Sequence, residues 1–303
     1  MGYRLANIEG RAALVAGEDY YDLEGVSEGS MSSDPMAALA SLPALSKISA
    51  GLADLTPSGK LADVNLGAPV PRPPSVFAIG LNYRNHAEES KMPIPDVPML
   101  FTKYSSCIVG PDADINMRSD FTDFEAELVV AIGQGGRDIS VADGWKHVAG
   151  LCVGQDFSDR AVQFCSSPPQ FSLAKSMDTF GPIGPLLVSA DELEDPNSLA
   201  IECVINGEVR QQDNTNDLIF NVPTLVSYLS QLVTLQTGDL IFTGTPGGVG
   251  VIEGRFLQDG DVVTTTVEGI GSIVNTCVRG GDHPNASFVP GFIQSKLDRL
   301  NDK

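Results

Sequence analysis

Residues 123–133 read DFEAELVVAIG, an apolar run entered through two glutamates two positions apart. The run looks like a buried strand. Successive strand side chains point to opposite faces, so Glu125 and Glu127 share one face and Phe124, Ala126 and Leu128 the other. Two like charges side by side are unfavourable unless water surrounds them or a positive centre lies between them. Spacing alone leaves both answers open, a solvated strand edge and a cation site.

Outward from this run, strand-like segments dominate residues 75 onward: SVFAIGL, VAGLCVGQD, GPLLVS, IECVINGEVRQQ, DLIFTGT and the pair within DVVTTTVEGIGSIVNTCVR. Asn206-Gly207 is a two-residue hairpin turn signal. One helix interrupts them, NVPTLVSYLSQLVTL, with Pro223 in its first turn and Gly238 after its end. The segments do not alternate strand with helix, which predicts a mixed, mainly antiparallel β architecture. Before them, RLANI and AALVAG read as short strands, and Asp34-Pro35 opens a helix over MAALASLPALSKISAGLADL. Prolines at 69, 71, 73 and 74 make LGAPVPRPPSV an extended connector. The boundary is placed there, with residues 1–70 a small N-terminal domain and residues 71–303 the larger one.

The chain has 303 residues, 42% of them hydrophobic, and can bury a sizeable core. Lys+Arg 19 against Asp+Glu 39 gives a net charge of -20, which repels nucleic acid and anionic membrane. An anionic substrate therefore needs a local positive centre. No apolar stretch approaches bilayer length and MGYRLANIEG lacks the pattern of a signal peptide, so the cytoplasm is the default location. Cys107, Cys152, Cys165, Cys203 and Cys277 are scattered without a CxxC pair and read as reduced, mostly core residues. Asn285-Ala286-Ser287 matches a glycosylation acceptor, a tripeptide too common to carry weight.

The glycine-rich IGQGGRD and GTPGGVG fit neither a dinucleotide fingerprint nor a P-loop and read as tight turns; the second can also line a site with backbone amides. No GxSxG elbow is present. Of the three histidines, His147 and His283 read as surface or packing residues. His86 lies three residues before Glu89 in NYRNHAEES, where one helical turn lets the two hydrogen-bond; an exposed, charged turn is the alternative. Asp156 ends GLCVGQD and is followed by Ser158, Arg160 and Gln163. Together with Glu125 and Glu127 it would make a hard oxygen site, suited to Mg²⁺, Mn²⁺ or Ca²⁺ rather than zinc. Spacing does not establish that the three converge.

The ordered blocks GLNYRNHAEES, DFEAELVVAIG, VGQDFSDRAVQ, AKSMDTFGPIGP, INGEVRQQDNTNDLIF and GDLIFTGTPGGVG resemble the fumarylacetoacetate hydrolase family over residues 73 to 280. The resemblance implies an α+β, mainly β fold: a mixed β-sandwich roll of the fumarylacetoacetate hydrolase C-terminal type with a small N-terminal α/β domain. It implies a cytoplasmic homodimer that binds Mg²⁺ or Mn²⁺, with Ca²⁺ as a substitute, and takes a 2-oxo or 1,3-diketo acid. The implied metal ligands are Glu125, Glu127 and Asp156. His86, Glu89 and Lys175 become the catalytic residues, the first two on a short lid helix. Arg160, Gln163 and Thr245 become substrate-binding residues, with Tyr83, Arg84 and Lys103 as further pocket residues. The implied reaction is hydrolysis of a carbon-carbon bond in an acylpyruvate or fumarylpyruvate through a metal-bound enolate. Oxaloacetate-type decarboxylation and isomerisation or tautomerisation of a 2-oxo acid are the alternatives on the same site. Pro169-Gln170-Phe171 departs from the Gly-Gln-Trp of many relatives, which alters the pocket's shape.

Overall fold

Every residue from Ala126 to Ile132 is buried, as in a strand covered on both faces. The computed structural model describes residues 2–281. They begin with β1 (Arg4–Ile8), β2 (Arg11–Ala16) and β3 (Asp19–Asp22), followed by α1 (Pro35–Ala38) and α2 (Leu42–Ser49). Next come β4 (Val76–Gly80), α3 (Arg84–Glu89), β5 (Met99–Lys103), β6 (Ile115–Met117), β7 (Ala126–Ile132) and β8 (Val148–Gln155). Then follow α4 (Arg160–Gln163), α5 (Phe171–Ala174), β9 (Gly181–Val188), β10 (Ala200–Ile205), β11 (Glu208–Asn214) and α6 (Val222–Leu232). The last strands are β12 (Leu240–Phe242), β13 (Val262–Val267) and β14 (Gly271–Arg279).

The larger sheet runs β3-β2-β1-β9-β8-β7-β12-β4-β5, antiparallel except where β12 lies beside β4. The smaller runs β11-β10-β13-β14-β6, parallel only between β14 and β6. The architecture is mainly β with mixed sheets, the expected fold class. Larger-sheet pairing crosses the proline stretch, because β1 hydrogen-bonds to β9. Asn206 and Gly207 both take positive φ, the geometry of the two-residue turn their sequence predicts.

Strand β7 divides the core. Phe124, Ala126, Leu128, Val130 and Ile132 pack with Ile201, Cys203, Val263 and Ile273 of the smaller sheet. Val129 and Ala131, on the face that carries the glutamates, pack with Ala38, Leu39 and Leu45 of the helical layer. Burying a Leu, Val or Ile side chain contributes about 1.5–3 kcal/mol, so this doubly covered strand is a rigid support for what stands at its entry.

The single helix predicted from Asp34 is divided. Asp34 does cap α1, accepting from the Met36 amide, but α1 stops at Ala38 and α2 restarts at Leu42 with Pro43 in its first turn. A proline inside a helix lacks the N–H and clashes with the carbonyl four residues earlier, so one helix cannot pass through Pro43. His283 and Asn285-Ala286-Ser287 lie outside the described residues.

Candidate active site

Strands β7 and β8 run antiparallel with Ala126 opposite Gln155 and Glu127 opposite Gly154. This register sets the start of one strand beside the end of the other. Glu125, Glu127 and Asp156 therefore meet, with one oxygen from each within 4.8 Å of the others. Their exposures are 9%, 1% and 0%, so the solvated edge is the wrong reading of the two glutamates.

Three buried cations surround them. Lys175, immediately after α5, donates at 2.7 Å each to Glu125 Oε2, Asp156 Oδ2 and Ser158 Oγ. Arg160, the first residue of α4, donates to Glu125 Oε1 at 2.6 Å, Asp123 Oδ2 at 2.8 Å and Gln163 Oε1 at 2.7 Å. Lys103, at the end of β5, donates to Asp156 Oδ1 at 2.7 Å and to the Phe180 and Lys175 carbonyls. Among the described residues Glu127 has no ion pair; its Oε2 accepts from the Gly244 amide at 2.7 Å.

Four buried carboxylates, counting Asp123, thus face three buried cations. Burial opposes the charged form of Glu125, but Lys175 and Arg160 outweigh it and hold the group down at about 2. Burial, with Asp156 and then Glu125 adding repulsion, pushes Glu127 well above the ordinary carboxylate range. The donor set fits a hard divalent cation: three carboxylates converge without histidine or cysteine, and the one lacking a cationic partner takes up a proton instead.

A pH dependence follows with a definite sign. Glu127's folded value is raised, so its contribution to stability is fully present below the unfolded value and is lost as pH rises through the folded one. A cation binding there displaces the proton, so affinity strengthens with pH. The rise in thermal midpoint on adding Mn²⁺ is expected to be larger at about pH 7.5 than at about pH 5.5. A Mn²⁺ effect that shrinks over that interval would contradict the assignment.

The imidazole of His86 approaches Glu89, Nδ1 to Oε2 at 3.3 Å across one turn of α3. The loop of residues 244–251, which follows β12, holds that turn and much else. The Gly248 amide donates to both Glu89 oxygens at 3.1 Å, and the Gly247 amide to Asn85 Oδ1 at 3.1 Å. The Gly250 and Val251 amides donate to Asp123 at 2.7 and 2.9 Å, and Gly244 holds Glu127. Gly248 has φ +100°, and a Cβ there would strike the Arg210 carbonyl oxygen, so the turn requires glycine.

A cavity of about 440 Å³ is lined by His86, Glu125, Arg160, Gln163, Lys175 and Thr245 among others. Thr245 donates to the Ala126 carbonyl at 2.9 Å and accepts from Gln211 Nε2 at 2.8 Å. Tyr83, Arg84 and Lys103, expected as further pocket residues, are not among the residues that line it. Lys103 stands behind Asp156, Tyr83 is wholly buried, and Arg84 turns to the Asp217 and Leu218 carbonyls. Arg84 diverges from His86 because helical side chains two positions apart lie about 200° apart around the axis, on nearly opposite faces.

Three residues of the site escaped the sequence reading, and a fourth, Ser158, stood in it without a role. Asp123 begins the opening stretch and anchors Arg160. Gln155 Oε1 accepts from the Glu125 amide and Gln211 Oε1 from the Ala126 amide, fixing the backbone at the entry to β7. Ser158 accepts from Lys175. Only Asp123 left a signal, as a third acid at the head of an apolar run. His147 Nδ1 lies 2.7 Å from the Gln134 carbonyl on the surface, and four of the five free cysteines are buried, Cys165 partly so.

Residues 75–278 match the model of the fumarylacetoacetate (FAA) hydrolase C-terminal family. The chain is 42% identical over 238 residues to the oxaloacetate tautomerase FAHD2A, mitochondrial, of Bos taurus, covering 77% of this chain and 76% of that one. Its structure superposes on an HpcE-like protein of Mycobacterium smegmatis with a TM-score of 0.85 and 43% identity, over 91% of this chain and 99% of that one. It superposes likewise on maleylpyruvate hydrolase from Sphingobium sp. SYK-6, in complex with manganese(II) ion and pyruvate. There the TM-score is 0.77 and the identity 29%, over 91% of this chain and 99% of that one. Among the described residues no helix is long and apolar enough to cross a membrane.

Proposed function

The chain belongs to the fumarylacetoacetate hydrolase family, and from that premise we propose that it is a divalent-cation-dependent enzyme of small 2-oxo acids that moves a proton at the carbon next to the 2-oxo group. The observation that carries this reading is one cavity lined by His86, whose Nδ1 approaches Glu89, and by Glu125, one of three convergent carboxylates, with the buried Lys175 bridging Glu125 and Asp156. Glu125, Glu127 and Asp156 would hold Mg²⁺ or Mn²⁺. When bound, the cation supplies Lewis-acid polarisation of the 2-oxo carbonyl, which acidifies the adjacent carbon.

The chain's own groups do the rest. With Nδ1 engaged by Glu89, His86 has Nε2 to take a proton from that carbon and deliver it to the 2-oxo oxygen, or to carry it the other way. Lys175 places a fixed ammonium where negative charge develops on the 2-oxo oxygen. Arg160 and Gln163 face the carboxylate end of the substrate. Keto–enol interconversion needs nothing more, and the Bos taurus relative's name supports that reaction.

Carbon-carbon hydrolysis of an acylpyruvate is the second reading, favoured by the likeness to maleylpyruvate hydrolase. In it, His86 deprotonates water; the hydroxyl adds to the distal carbonyl, the carbon-carbon bond breaks, and the pyruvate carbon takes the proton back. A homodimer belongs to the same proposal, and the exposed Met99 and Leu100 on edge strand β5 support it. A cytoplasmic location is likewise proposed, beside a relative whose name says mitochondrial.

Treatment with a chelator is expected to abolish turnover of oxaloacetate and of acylpyruvates, and Mn²⁺ or Mg²⁺ to restore it. Full activity in chelator would sink the proposal. His86→Ala should retain Mn²⁺ binding by titration while hydrolysis disappears; tautomerisation surviving in that variant would confine the dyad to the water-dependent reaction.

A further inference from the structure

We infer that the substrate carries a neutral, apolar group beyond its 2-oxo acid end rather than a second carboxylate, an inference that rests on the 2-oxo acid reading above. The cavity wall is of two kinds. Glu125, Arg160, Gln163, Lys175 and Thr245 line it, and so do the apolar Met92, Met99, Phe101, Phe164, Phe171 and Ile252. Phe101 and Phe171 touch, with ring centroids 5.8 Å apart, and continue one aromatic surface.

The cation nearest that surface has no donor left for it: the Lys175 ammonium lies 5.3 Å from the Phe101 ring centroid, but Glu125, Asp156 and Ser158 take its three N–H groups. Arg160 gives three of its five donors to Asp123, Glu125 and Gln163, and in the reading above the rest face the 2-oxo acid end. Arg84 and Lys103 lie off the wall. His86 is the remaining titratable group, and Glu89 beside it cancels the charge an imidazolium would offer. A second carboxylate would lose its hydration against thioether and aromatic faces without a donor in return. The protein's net charge of -20 adds to its exclusion. An isopropyl or phenyl group there instead removes apolar surface from water.

The test is calorimetry on the Mn²⁺-loaded full chain with 4-methyl-2-oxopentanoate and 2-oxoglutarate, two acids of equal chain length that differ in a branched alkyl or a carboxylate terminus. The first is expected to bind at least about tenfold more tightly, and Phe171→Arg to narrow or reverse that ratio. Equal or tighter binding of 2-oxoglutarate by the unaltered protein overturns the inference. Metal-dependent turnover that favours oxaloacetate or fumarylpyruvate over benzoylpyruvate also overturns it, while leaving the proposed reaction standing. Failure to bind either acid, with no turnover of any, removes both.

Discussion

Asp123→Ala is expected to lower the thermal midpoint by roughly 10 °C, the largest single-site loss of stability in the region of the active site. Asp123 is wholly buried and accepts from Arg160 and from the Gly250 and Val251 amides. Removing one partner of a buried ion pair costs about 3–5 kcal/mol where the other charge loses its compensation, and Arg160 would keep Glu125 as its only carboxylate. Three stranded amides, of Phe124, Gly250 and Val251, add to that cost. Asp123→Asn keeps the volume but sets an amide group among donors, so it should rescue little. Scanning calorimetry decides the matter: a midpoint within a degree or so of the unaltered protein would show that Glu125 alone compensates Arg160.

Lys175→Met should act on chemistry instead. The ammonium that touches Glu125 and Asp156 sits where charge develops in the proposed reaction, and loss of such a donor costs about 10²–10³-fold in kcat. Binding of Mn²⁺ should survive or tighten, since a competitor for the same two carboxylates has gone. Glu127→Ala should do the reverse and forfeit cation affinity. Steady-state kinetics paired with a Mn²⁺ titration separates the cases; parallel loss of both properties in Lys175→Met would mean that the lysine builds the cation site and takes no separate part in the reaction.

What the sequence disclosed was local. The face shared by Glu125 and Glu127, the Asn206-Gly207 turn and the Asp34 cap depend on neighbours within a few residues, and each can be read from spacing. The break at Pro43 was equally visible and was overridden by the apolar pattern around it. Convergence of Asp156 on the two glutamates depends on the register between β7 and β8, which no single segment records. Asp123 shows the same limit, for its partners lie 37 and 127 residues away. The pocket's mixture of charged and apolar lining is more remote still, since its wall draws on residues from Ile79 to Ile252.

The loop of residues 244–251 ties together groups that are distant along the chain: its amides reach Glu127 across 117 positions, Asp123 across 127 and Glu89 across 159. Contacts of such separation require the intervening chain to be ordered first, and they slow and delay assembly. The site therefore has no local precursor. On refolding, the capacity to bind Mn²⁺ should emerge only after β7, β8 and β12 have joined, so the cation can stabilise the finished fold but cannot guide its early steps.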